Sequence, residues 1–154
     1  MNQSKYHFLK NDLVPLLQKL QPDSKGLWGT MGSQQMIEHM TDAVKMANGK
    51  LQLPKVNEGE RLEKFRQFMN SEIPFGKNIK NPFLGETGLP LRKPDLAAAI
   101  AKLQSELDDF FLAFEKNPAL RTSNPFFGEL DYAENIQLLH KHAEHHARQF
   151  GLLP

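Results

Sequence analysis

Residues 124–154, NPFFGELDYAENIQLLHKHAEHHARQFGLLP, commit this chain to helix more firmly than any other stretch. Asp131 stands three residues before Glu134, the capping-box spacing in which each side chain satisfies an orphan amide of the first turn. Arg148 and then Gly151 suit a helix C-terminus, one as a cation in the last turn and one as a left-handed stop. Between these ends Ile136, Leu139, Ala143, His146 and Phe150 recur at steps of three and four. They draw one apolar stripe along one face, and the stripe contains a histidine.

Four of the six histidines fall in this helix: His140, His142, His145 and His146. Side chains four residues apart share a face, so His142 and His146 can reach a single point. His145 can also pair with His142 at three-residue spacing, but it points further toward solvent. His140 lies roughly 160° around the helix from His142 and cannot join them. Neutral imidazole is the commonest protein ligand for transition metals, and two on one helix make half a site. The alternative is a histidine-rich turn of exposed or singly buried polar residues. An HxxxH pair without the glutamate of zinc proteases is a weak motif, so a third ligand has to come from elsewhere.

Helical periods fill nearly all the periodic sequence. Residues 3–20 carry Leu9, Leu13, Leu16, Leu17 and Leu20 on one side. Pro15 either kinks this helix or sits in the first turn of a segment capped by Asp12. Residues 21–32, QPDSKGLWGTMG, read as a loop holding the only tryptophan, Trp28. Its ring plugs one end of the core or lines a pocket mouth. Ser33 offers an N-cap for a helix to about Ala47, with Gly49 as its stop. Its apolar stripe, Met36, Met40, Ala43 and Ala47, includes His39. A lone histidine on such a face is more often a satisfied core residue than a ligand. Opposite a helix with two more, the balance shifts, because facing helices are where metal sites of bundles are built. Gln35 and Asp42, one turn either side, are candidates to bond ring N–H groups or to be solvated.

A third helix spans about 58–70. Residues 71–93 form the longest irregular stretch, and Phe75, Phe83 and Leu84 are too apolar for a free linker. It is either a lid or a crossover packed over one end of the bundle. A helix of about twenty residues opens at Asp95, with Asp108 and Asp109 on a solvated face. Asn117 and Pro118 end it, and a loop at 124–128 leads into the histidine helix. The expected architecture is all-α, a helix bundle with long connections and only incidental β structure.

The length of 154 residues suits a single domain, 1–154. Charge is nearly balanced, 19 Lys and Arg against 18 Asp and Glu, with no basic block, which argues against nucleic acid or an anionic membrane as partner. The absence of cysteine excludes disulfides, thiolate ligands and a cysteine nucleophile. The N-terminus lacks a signal-peptide core, and no run approaches the ~18 apolar residues of a membrane span. The expectation is a cytoplasmic protein.

The combination of LWGTMGSQQMIEHM with NPFFGEL and LLHKHAEHHARQFGLL resembles the DinB-like superfamily, and within it a group of small proteins of uncharacterised function. The resemblance covers nearly the whole chain. It implies an up-down-down-up four-helix bundle, with a divalent metal held by one histidine of the second helix and two of the last. By motif these are His39, His142 and His146, the trio that helical spacing also brings forward. It further implies a thiol-dependent transferase or isomerase activity, and often a homodimer.

Three neutral imidazoles leave positions on a metal open for water, thiol or substrate. Nitrogen ligation suits zinc or nickel, and also iron or copper, better than magnesium or calcium. The function expected is a metal-dependent transferase or hydrolase acting on a small molecule, with Trp28, Gln35 and Gln149 as candidates to line the pocket. The competing expectation is a non-catalytic bundle that binds a small ligand or a partner protein. No general base stands out, since Glu38 and Glu144 are each adjacent in sequence to a ligand or its neighbour and project away.

Overall fold

The computed structural model describes residues 1–85 and 88–154. It is mostly helical. The order is α1 (Gln3–His7), a π-helical turn (Phe8–Asp12), α2 (Leu13–Leu17), α3 (Ser33–Ala47), α4 (Gly59–Asn70), α5 (Leu96–Lys116), β1 (Thr122–Asn124), β2 (Gly128–Leu130) and α6 (Tyr132–Gln149). Among the described residues no helix is long and apolar enough to cross a membrane.

The first three segments run on without a break. Asp12 stays helical and makes no side-chain cap, so Pro15 does not open a new helix. Instead the Leu13 N–H donates to the Phe8 carbonyl, five residues back. The proline ring has no N–H and collides with the carbonyl four residues upstream, and a π turn just before it absorbs the misfit. Of the two expectations for Pro15, a new segment capped by Asp12 is not observed; the helix continues into the proline through the π turn.

One core joins α1 and α2, the intervening turn, α3, α5 and α6. Leu9, Leu13, Leu17, Met36, Ile37, Leu103, Leu107, Phe110 and Ile136 are all but inaccessible within it. A second cluster, Met69, Phe127, Leu130 and Leu138, packs α4 and the β hairpin on the other side of α6. α6 is thus buried on two sides, while α5 packs mainly on α3.

Local chemistry explains the helix ends. Asp131 and Glu134 form the reciprocal cap. Gly151, at φ +70°, lets its own N–H donate to the Arg148 carbonyl and that of Leu152 to the Ala147 carbonyl. That double closure is the Schellman arrangement. At α3 the boundary shifts by one residue. Gly32 is the N-cap, and its N–H donates to Gln35 Oε1 at 3.0 Å. Ser33 instead donates from Oγ to the Gln21 carbonyl at 2.9 Å, so it ties the loop to the helix rather than capping it.

Residues 124–128, expected as plain loop, close an antiparallel hairpin with Asn124 opposite Gly128. Asn124 Oδ1 accepts the N–H groups of Phe126 and Phe127, an Asx turn, and Gly128 takes the positive φ (+79°) that the turn requires. The fold is therefore helical with a small two-stranded sheet, not wholly α.

Charged groups hold the remaining joints. Glu106, buried on α5, accepts from Asn48 (2.8 Å), Lys50 (2.9 Å) and Lys102 (2.8 Å), fastening the end of α3. Burial works against this carboxylate, but those three donors outweigh it and hold its pKa down at about 2. Its stabilisation is present above the ordinary value of 4.5 and is lost as pH falls toward 2. We expect Glu106→Ala to cost about 2 kcal/mol of unfolding free energy at pH 7. The difference from wild type should shrink in urea titrations repeated below pH 4.5.

Candidate metal centre

His39 on α3 faces His142 and His146 on α6. The Nε2 atom of His142 lies 2.9 Å from that of His39 and 3.0 Å from that of His146. One ligand atom from each residue falls within 4.8 Å of the others. The helix period puts His142 and His146 on one face, as expected. Packing of α6 on α3 supplies the third imidazole, which spacing within a single helix could not.

His146 is 4% exposed, and its ring is fixed by Gln149. Gln149 Nε2 donates to the Trp28 carbonyl at 3.0 Å, which turns Oε1 toward His146 Nδ1 at 2.7 Å. The amide has no freedom to flip, so the ring proton sits on Nδ1 and the Nε2 lone pair points into the cluster. Glycines make room for this amide. A Cβ on Gly26 would lie 2.6 Å from the Trp28 carbonyl oxygen that holds the amide and 3.2 Å from Gln149 Cγ, and one on Gly29 would lie 2.8 Å from Gln149 Nε2. Gly29 also holds φ +76°. The two glycines flanking the tryptophan thus have a purpose that sequence reading did not supply.

Burial depresses all three imidazoles. His39 is lowered to about 4, with the Asp42 charge opposing and His145 adding to the shift. His146 is lowered to about 3 by burial and by His39, against the Gln149 bond. His142 falls well below its ordinary value through burial and then through His146 and His39. At neutral pH the cluster is uncharged, the state in which imidazole binds metal.

The donor set fits a metal ion. With the His146 proton on Nδ1, a neutral His142 can donate its single ring proton to only one of its two neighbours. Lone pairs then face one another across about the spacing that zinc imposes, since nitrogens ~2.0–2.1 Å from a tetrahedral ion stand roughly 3.3 Å apart. These three histidines can hold such an ion with small ring movements.

The other candidates divide. Gln149 bonds the His146 ring. Trp28 contributes its carbonyl to Gln149, while its ring lies 5.6 Å from the His145 ring and lines a cavity, so it is not a core plug. Gln35 and Asp42 line a cleft of about 10 Å³ beside His39, room for one water. Gln35 Nε2 donates to the Leu89 carbonyl, and Asp42 takes a two-pronged bond from Arg92 at 2.9 and 3.0 Å. Both help to seat residues 88–92 against α3, and neither is simply solvated. Glu38 accepts from the Arg92 backbone and side chain, and Glu144 lies 3.6 Å from Arg148. His140 packs edge-on to Phe8, away from the trio, and His7 is exposed beside Asn11.

Two contributors had no clear signal in the sequence. Lys141 is 6% exposed and donates from Nζ to the carbonyls of Phe68, Ser71 and Ile73. It is the cation at the end of α4, whose own last turn has none. This clamp brings Phe75 to 6.3 Å from the His142 ring and 6.0 Å from the His145 ring. The irregular stretch 71–93 therefore flanks the histidines from both ends, Phe75 at α6 and residues 88–92 at α3. Within it, Glu86 and Thr87 lie outside the described residues.

Compared with protein-family models, with curated proteins and with solved structures, the chain matches none.

Two outcomes follow from this geometry. Gln149→Ala should weaken metal affinity by roughly 10–100-fold, the usual cost of losing a ligand's outer hydrogen bond, measured by competition with a chromophoric chelator. In metal-free protein the depressed imidazoles bind fewer protons than the unfolded chain between pH 6.5 and about 3. Stability should therefore fall as pH drops below 6.5, and less steeply in His146→Gln, read from urea midpoints.

Proposed function

We propose that the chain is a metal-dependent enzyme of DinB-like type, an up-down-down-up four-helix bundle flanked by α4. His39, His142 and His146 are its metal ligands. The observation that carries this reading is the convergence of three uncharged imidazoles from two facing helices, with His142 Nε2 about 3 Å from the Nε2 atoms of both others. Zinc or nickel suits the all-nitrogen set best, with iron or copper next. Held there, a divalent ion supplies Lewis acidity and lowers the pKa of a water or thiol in its open position, which fits transfer to, or hydrolysis of, a small molecule.

The protein's own residues do the positioning. Gln149 holds the His146 proton on Nδ1 and keeps its Nε2 as a ligand. Phe75 shields the His142 side from water, and residues 88–92, seated by Arg92, cover the His39 side.

A second reading, a non-catalytic bundle that binds a small ligand, draws on one observation. Glu38 and Asp42, the carboxylates beside His39, are both held by Arg92, so neither is presented to the histidines as a base.

Elemental analysis of protein purified without a nickel column tests the metal. We expect about one equivalent of a transition metal, lost in His39→Ala, with a lower melting temperature for the variant because a ligand that binds only the native state stabilises it. Little metal, and no uptake of added zinc or nickel, would leave the binding bundle as the reading.

A further inference from the structure

Beside the histidines, between α6 and the segment that follows α4, lies a cavity of about 430 Å³. That volume is in the range of small-molecule sites. One wall is aromatic. The His145 ring stands 5.6 Å from Trp28 and 6.0 Å from Phe75, edge-on to both, and Pro74 extends the apolar surface. Its rim carries four cations against two carboxylates, Glu72 and Glu144.

The cations are not equivalent. Lys5 is engaged by Glu72 and Gln137, and Lys141 by its three carbonyls. Lys77 lies over the Trp28 ring, 4.6 Å from its centroid, and among the described residues no carboxylate pairs with it. Arg148 donates from Nε to the Pro154 carbonyl and meets Glu144 only loosely, at 3.6 Å. Two cations with spare donors thus stand over an aromatic wall. Phe75 belongs both to that wall and to the packing around His142.

We propose that this cavity binds a small organic carboxylate with a flat apolar body, the carboxylate at Lys77 and Arg148 and the body against Trp28 and Phe75. As the reactant pocket of the histidine centre it rests on the metal-enzyme reading; as a binding site it stands without it. Charge-assisted bonds to two cations supply orientation, and a ring among three aromatic side chains supplies burial without new polar partners.

The lone tryptophan reports on the site directly. Titration of the full chain with phenylacetate should change Trp28 emission saturably. The neutral isostere phenylacetamide should bind about tenfold more weakly, the scale of one lost charge-assisted bond. Lys77→Gln and Arg148→Gln should each shift the phenylacetate midpoint by a similar factor while leaving metal content unchanged. No saturable change with phenylacetate, equal response to acid and amide, or midpoints untouched in both variants would overturn the proposal. The two readings separate in the same experiment. A chain that binds metal and ignores phenylacetate loses only the pocket, and one that binds phenylacetate with no metal loses only the metal centre.

Discussion

Three imidazoles brought to one point without charge form the constraint on which the rest of this structure turns. Protonating any of them puts a positive charge among polar atoms that have been removed from water, and burial accordingly drives their pKa values down. Kept neutral, they face one another with more lone pairs than protons. Such an arrangement persists only where the surrounding packing is rigid enough to hold it, and α6 is buried on two sides, between the main core and the Met69–Leu138 cluster.

Rigidity around the site comes from long side chains that seize backbone. Lys141 takes three carbonyls where α4 ends, Arg92 takes Glu38 and Asp42, and Arg66 donates to the Phe127 and Glu129 carbonyls while pairing with Glu134 of the α6 cap. Each cation fastens an irregular segment to a helix. These segments carry Phe75, the 88–92 strip and the hairpin, so the walls around the histidines are made of loop but held as firmly as helix. Gln149 does the same with a neutral amide, joining the tryptophan loop to the His146 ring.

Legibility followed the range of the interactions. Both ends of α6, the cap of α5 by Asp95 and the stop of α3 near Gly49 are set by bonds spanning three to five residues, and periodicity and cap chemistry reveal them. The shift from Ser33 to Gly32 as N-cap shows where that ends. Ser33 has the right hydroxyl, but the Gln21 carbonyl, twelve residues away, competes for it. The hairpin was missed for a related reason, because its strands are three residues each and its turn chemistry resembles any Asn-Pro-Gly-containing loop.

Helical spacing by itself determined that His142 and His146 share a face, that His140 does not, and that the chain is helical in its bulk. Those follow from a repeat of 3.6 residues, which every helix obeys. Only the tertiary structure decided that His39 meets them, that the Trp28 carbonyl aims the Gln149 amide at the His146 ring, and that Lys141 and Phe75 wall the site. The His146–Gln149 bond itself spans three residues, but the Trp28 carbonyl that aims the amide comes from the far loop. The other contacts join segments well separated in sequence, chosen by how α3, α6 and the 71–93 segment pack, and no local rule encodes which side chains such packing brings together.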